Sequence, residues 1–269
     1  MKHLLEEMTF LEFRQLMAED PVILLPLGSQ EIQGPANPMG DFMLTREIAA
    51  RVAARSGAIA APTLPFGYAE YFRGVPGGVQ LSAASFRGVL RDMVGAFLDH
   101  GLKRILVLNG HTGNSPQIDQ TLREVRAETG IVVPWVNVWR MIPPQLRQQA
   151  YGADAAAAFG HGADPMGSIY LHLFPDLVRA DAPVPAETPR TLLGLPTGGL
   201  AFVLQDGLEV NVPINMTDHC EAVVAGNPAL ANAAAGRLFT DHLVDALAKL
   251  VQHLKTAPQP DVYASPRGS

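Results

Sequence analysis

The sequence predicts one α/β domain, a mostly parallel sheet with helices on both faces. Three observations predict it. Short apolar runs alternate with helical patterns along the chain. Those runs are apolar at nearly every position, as strands covered on both faces are. The 269 residues hold no internal repeat and no central low-complexity linker, and they suffice for one large core.

The N-terminal MKHLLEEMTFLEFRQLM is acidic and amphipathic, without a signal-peptide core. PVILLPLG, Pro21 to Gly28, is a continuous apolar run stopped by glycine and reads as the first strand. In MLTREIAARVAARS the apolar residues Leu44, Ile48, Ala49 and Val52 recur at helical spacing. AIAAPTLPFG is a second short strand ending in turn residues. LSAASFRGVLRDMVGAFLDHG is a helix with a serine N-cap and a glycine at its C-terminal end. KRILVLNG is the third and clearest strand. SPQIDQTLREVRAETG follows as a helix with Pro116 in its first turn, then IVVPWVNVW as the fourth strand. Alternation along that strand would place Trp135 and Trp139 on one face with Asn137, where they pack. The domain is expected over residues 1–255, with 256–269 as a Pro/Ser/Gly-rich tail.

Composition excludes several functions. A net charge of −6 with no basic stripe argues against nucleic-acid binding. No window approaches 18 uninterrupted apolar residues, so no transmembrane helix is expected. The single cysteine, Cys220, rules out an internal disulfide and every cysteine-rich zinc motif, and it fits a reducing, cytoplasmic setting.

Three loops carry the chemistry. In sheets of this kind ligands bind beyond the carboxyl ends of the strands. GSQEIQGPANPMGD follows the first strand and NGHTGN the third. They supply Glu31, Asp41 and His111, two carboxylates and an imidazole, a set suited to Zn, Mn or Fe. Three protein ligands leave an open position for a water of lowered pKa. The plainer alternative makes Glu31 a turn cap, Asp41 a helix cap and His111 a loop residue. Turn chemistry accounts for the glycines and asparagines of NGHTGN, but histidine is not a turn former. GHGADPMGS, Gly160 to Ser168, adds His161, a proton-shuttle candidate, and Asp164, which Pro165 marks as a helix cap. Neither a P-loop, a dinucleotide fingerprint nor a G-x-S-x-G elbow is present. TDHCEA puts His219 beside Cys220, but adjacent residues rarely face each other productively.

In this order the three loops resemble the creatininase family. Its pattern runs G-S-x-E-Q-H-G-P-H-L-P-x-x-T-D, then N-G-H-x-x-N, then H-A-G-x-x-E-T-S. The likeness extends through PTLPFGYAEYFRGVPGGVQLS, HGLKRILVLNGHTGN and AGNPALANAAAGRLFTDHLVDALAKLV, over most of residues 5 to 252. The resemblance implies a single α/β domain, often in hexamers, using a metal-activated water to open small cyclic amides. It places Glu31, Asp41 and His111 among the metal ligands, Asp41 at the bridging position, and makes His161 the proton-transfer candidate. Gln33, Asp164 and Asn114 are then candidates for substrate or supporting contacts.

The departures are as informative. Where the pattern has E-Q-H-G this chain has E-I-Q-G, with Gln33 at the histidine position. Ala36 replaces the histidine of G-P-H, and the segment before Asp41 is one residue shorter. Gly113 stands where creatininase has a glutamate, and Met166, Gly167 and Ser168 replace E-T-S. A neutral amide oxygen is a poor substitute for imidazole on zinc. One divalent ion per subunit, and a substrate other than creatinine, are therefore expected. The Q-G-P-x-x-P-M-G-D variant also resembles enzymes opening an oxidised inositol ring by C–C cleavage. A metal-dependent keto-sugar isomerase or epimerase is the reading from another class, and a metal-stapled scaffold without activity is a further one.

Overall fold

The computed structural model describes residues 2–179, 181–182, 190–198, 201–219 and 223–260. A four-stranded, all-parallel sheet is ordered β2-β1-β3-β4, with β1 Ile23–Leu27, β2 Ile59–Ala60, β3 Ile105–Asn109 and β4 Trp135–Asn137. Chain order reverses between β1 and β3, which lie side by side in the middle. The helices are α1 Phe10–Met17, α2 Phe42–Ser56, α3 Ala83–Asp99, α4 Ser115–Thr129, α5 Pro144–Tyr151, α6 Ala155–Ala158, α7 Met166–Leu173, α8 Met216–His219 and α9 Ala233–Thr256. No helix among the described residues is long and apolar enough to cross a membrane.

The continuous apolar strands divide their side chains between two cores. Leu24, Leu106 and Leu108 pack with Leu44, Ile48 and Val52 of α2 and with Phe239, Leu243 and Leu247 of α9. Ile23, Leu25, Leu27, Ile105 and Val107 face Phe86, Leu90 and Val94 of α3 and Ile118 and Leu122 of α4. Two helix ends follow directly from their sequence. The Ser82 side chain accepts from Ser85 N–H at the start of α3, and Gly130 closes α4 in the left-handed region at φ 76°.

The fourth strand is shorter than expected. It stops at Asn137, and Val138–Met141 turn into a 3-10 helix. That turn breaks the alternation, so the two tryptophans separate. Trp135 packs against the α3/α4 core, while Trp139 joins the α2/α9 core and donates its indole N–H to the Gly110 carbonyl. Two antiparallel hairpins were not anticipated: β5 Thr191–Leu192 with β6 Leu195–Pro196, and β7 Phe202–Gln205 with β8 Leu208–Asn211. The second turns on Asp206-Gly207, both at positive φ, a pair that reads as a hairpin from sequence. Past α9, Gln259 bonds the backbone of Val132 and Lys103. Residues 261–269 of the expected tail and the His219–Cys220 side-chain pair lie outside the described residues.

Helix α9 holds α7, and with it the third loop. Gly236 lies so close to the Ser168 carbonyl of α7 that a methyl group there would strike backbone and the Cβ of His172. Helix propensity favours alanine over glycine by about 1 kcal/mol. Overpacking against backbone costs about 1–3 kcal/mol. The net cost is up to about 2 kcal/mol, so Gly236→Ala should lower the melting temperature, by up to about 4–8 °C. Gly88→Ala in α3, which meets only open space, should raise it. Equal shifts in a thermal melt would contradict the close α7–α9 contact.

Candidate metal centre

β1 and β3 end level, Leu27 opposite Asn109, so their loops leave from the same edge. Gly28 has no room for a side chain, because a Cβ would sit 2.5 Å from the Cα of Phe42. That approach brings the start of α2, and Asp41 before it, against the end of β1. Asp41 is fixed there by Ser29, whose N–H donates to Oδ1 at 2.7 Å and whose hydroxyl donates to Oδ2 at 3.2 Å. Gly40, at φ 93°, returns the loop by donating its N–H to the Glu31 carbonyl at 2.6 Å.

The structure brings Glu31, Asp41 and His111 together. They are 2%, 1% and 4% exposed, and one donor atom from each lies within 4.8 Å of the others. His111 Nδ1 is 3.0 Å from Glu31 Oε2 and 3.4 Å from Asp41 Oδ2. Metal–ligand bonds of 2.0–2.2 Å at tetrahedral angles separate donor atoms by about 3.4 Å, so the spacing suits an ion between them. Glu31 Oε2 is buried and makes no properly aligned hydrogen bond despite its closeness to the imidazole. At the far side of the ring, Nε2 lies 3.1 Å from the Tyr68 carbonyl and 3.1 Å from the Tyr71 hydroxyl. A carbonyl only accepts, so Nε2 carries the hydrogen and the neutral ring turns its Nδ1 lone pair toward the two carboxylates. This is the tautomer that a metal-ligating histidine needs.

Without a cation, a proton must do the same work. Burial alone would lower the His111 imidazole, but Glu31 and Asp41 outweigh it and push it up to about 10. Burial raises Asp41 to about 6, against the pull of His111. Two carboxylates and an imidazole shielded from water in this way fit a divalent cation better than a structural ion pair.

Gln33 is fully buried beside the trio and donates from Nε2 to Glu31 Oε1 at 3.0 Å. His161 stacks on Phe72 with ring centres 4.8 Å apart, and its Nε2 donates to the Ile32 carbonyl at 2.8 Å. It is thus anchored to the backbone between Glu31 and Gln33. Burial lowers its pKa, only partly offset by the Glu31 charge, so the ring is neutral near pH 7. Asp164 and Asn114 bond within their own surroundings. Asp164 accepts from Tyr151, from the Ser168 hydroxyl and from Ser168 N–H, which ties down the start of α7. Asn114 accepts from Tyr68 N–H and donates to the Gly28 carbonyl and Asn109 Oδ1, joining three loops behind the centre.

Sequence reasoning missed Ser29, Tyr68 and Tyr71. The tyrosines come from the segment after β2, which pairs with β1 and so delivers its loop to the same edge. A cavity of about 580 Å³ lies against both, lined also by Arg73, Asn215 and Thr217. Tyr71 also explains the departure at Gly113, since a Cβ there would run into the Tyr71 hydroxyl and His111 Nε2.

Comparison with known proteins agrees with this geometry. The creatininase family model, described as creatinine amidohydrolase, matches residues 6–251. The chain belongs to the creatininase family. Among curated relatives of this family, a creatinine amidohydrolase of Pseudomonas putida is 32% identical over 203 residues, 68% of this chain and 77% of the relative. A 3-dehydro-scyllo-inosose hydrolase of Thermotoga maritima is 26% identical over 262 residues, 93% of this chain and 82% of the relative. A solved creatininase structure in a manganese form superposes with TM-score 0.78 at 26% identity, covering 96% of this chain and 100% of that one. A mutant creatininase of Zn–Zn type gives 0.77 at 25%, with the same coverage. The expected creatininase-type α/β fold and the expected class, a metal-dependent hydrolase, both hold.

Proposed function

We propose that the protein opens a small polar cyclic amide other than creatinine at a single divalent ion held by Glu31, Asp41 and His111. The observation that carries this reading is the convergence of three buried donor atoms within 4.8 Å. An ion bound there would polarise the scissile carbonyl and lower the pKa of a water, whether it is Zn, Mn or Fe. The protein's own residues do the rest. Ser29 fixes the Asp41 carboxylate, and the Tyr68 carbonyl fixes the His111 tautomer. His161, neutral and holding its Nε2 hydrogen on the Ile32 carbonyl, has Nδ1 left to take a proton from the attacking water and hand it to the leaving nitrogen.

C–C cleavage of an oxidised inositol ring is the second reading, favoured by the Thermotoga maritima relative, which matches the larger share of this chain. There the leaving group is an enolate, which needs the cation more than a proton donor. Incubation in heavy-oxygen water with a cyclic amide, a cyclic diketone and a keto-sugar separates the cases. Label in the opened amide supports the first reading, and label in the opened diketone the second. An isomerised sugar without label ends both. Elemental analysis should find one tightly held metal per chain; two would overturn the single-ion reading. A homo-oligomer is part of the proposal, supported by the exposed Leu208 and Val210 of β8 and testable by sedimentation. So is a cytoplasmic location, supported by the lone cysteine.

Metal affinity should depend on pH in a way set by the two raised groups. His111, raised to about 10, still holds a proton at neutral pH that the ion must displace. Affinity should therefore climb about tenfold per pH unit from pH 6 to 10 and then level. Below about 6, Asp41 is protonated as well, and the slope should double. Competition with a chelator across this range measures it. Affinity constant from pH 6.5 to 9 would contradict the assignment of His111.

A further inference from the structure

Gln33 is completely buried, and its side-chain amide is satisfied on one side only. Nε2 donates to Glu31 Oε1 at 3.0 Å, while Oε1 has no partner. Its orientation is not free. Glu31 Oε1 accepts from the Gln33 amide N–H at 3.0 Å, and turning the amide over would set two oxygens against each other. Glu31 therefore holds the Gln33 carbonyl oxygen in one direction, shielded from water, one carboxylate away from the His111 imidazole. A buried acceptor without a donor is destabilising, and such an atom beside a reaction centre points to a ligand that supplies the missing hydrogen.

A second divalent ion is the first alternative occupant, because the family resemblance puts a histidine at this position. Three observations weigh against it. Glu31 Oε1 is already engaged by the Gln33 N–H. Gly113 offers no carboxylate, and the space beside it is taken by the Tyr71 hydroxyl and His111 Nε2. Among the described residues, Glu31, Asp41 and His111 are the single cluster of metal-type ligands. What remains for a second ion is one neutral oxygen and a share of Asp41, too little negative charge to hold it.

We infer that Gln33 is a substrate-recognition residue, whose Oε1 accepts a hydrogen bond from an N–H or O–H carried next to the carbonyl under attack. The substrate class narrows accordingly, to cyclic amides with a free N–H or ring ketones with an adjacent hydroxyl. This rests on the metal-hydrolase reading for the position of the carbonyl, and it concerns binding before turnover. A hydrogen bond made out of water contributes more to selectivity than one at a wet surface, because the site loses it outright with an analogue that lacks the donor.

Matched probes test it on the metal-loaded full chain. Succinimide with N-methylsuccinimide forms the N–H pair, and 2-hydroxycyclohexane-1,3-dione with its 2-methoxy ether forms the O–H pair. Calorimetry should show the donor-bearing member of one pair bound about tenfold more tightly or better; which pair discriminates tells N–H from O–H. In Gln33→Leu, and in the closer-shaped Gln33→Met, that discrimination should shrink toward unity while metal content stays at the wild-type value. Discrimination retained in either folded variant, or absent from both pairs in the wild type, overturns the proposal. Loss of metal from the variants overturns it too, making Gln33 a ligand. Discrimination without turnover of any probe would remove the proposed cyclic-amide and ring-ketone substrates and leave the recognition role standing. Turnover without discrimination would do the reverse.

Discussion

His111→Ala should yield a folded protein with little or no bound metal and activity reduced by about three orders of magnitude or more. Lewis-acid activation by a bound ion contributes several kcal/mol to the transition state, and each 1.36 kcal/mol is a factor of ten in rate. The imidazole supplies the one neutral donor of the trio. Its Nδ1 lies 3.0 and 3.4 Å from the two carboxylates, and its Nε2 is tied to the Tyr68 carbonyl. Without it, Glu31 and Asp41 are left as two ligands, one short of the three that a catalytic metal site uses. Such a pair holds a cation poorly. Elemental analysis, circular dichroism and turnover on the same preparation check the three parts of the expectation. Full metal content in the variant would show that His111 is not a ligand. Tyr71→Phe is the matching control. It removes the hydroxyl at Nε2 but leaves the Tyr68 carbonyl to hold the tautomer, so metal content should be retained.

The sheet and its helices were legible because each element announces itself locally. PVILLPLG and the ILVL of KRILVLNG are apolar throughout, which only a two-sided burial explains, and Ser82 and Gly130 mark helix ends by their own stereochemistry. The trio was legible for a related reason. Glycine-rich loops at the ends of adjacent parallel strands converge by topology, so Glu31, Asp41 and His111 needed no long-range information beyond strand order. What stayed hidden depends on contacts between distant segments. Tyr71 matters because its hydroxyl reaches His111 40 residues away, and nothing near Tyr71 in sequence says so. Trp139 left its expected face because its indole bonds the Gly110 carbonyl, a tertiary contact that overrides strand alternation. Gln33 lies between these cases: its identity was visible in the loop, but the direction of its amide is set by the Glu31 carboxylate.

His161→Gln should separate metal binding from proton transfer. Glutamine can still donate to the Ile32 carbonyl that now holds the ring, so the loop of Glu31 and Gln33 keeps its anchor. It cannot take up a proton. Metal content and KM should therefore change little, while kcat should fall by about 10²–10⁴-fold, the range for losing a positioned acid–base group. The pH profile provides the decisive sign. Burial lowers the folded pKa of His161, so the neutral, proton-accepting ring persists below the ordinary imidazole value near 6.5. In the metal-saturated wild type, kcat should stay flat through neutral pH and fall only on the acid side, where the ring gains a proton. That acid limb should disappear in His161→Gln. A limb unchanged in the variant would assign the titration to another group, and an unchanged kcat would remove His161 from the chemistry. The two substitutions thus have distinct signatures: His111 is read in metal content, and His161 in the pH dependence of a fully loaded enzyme.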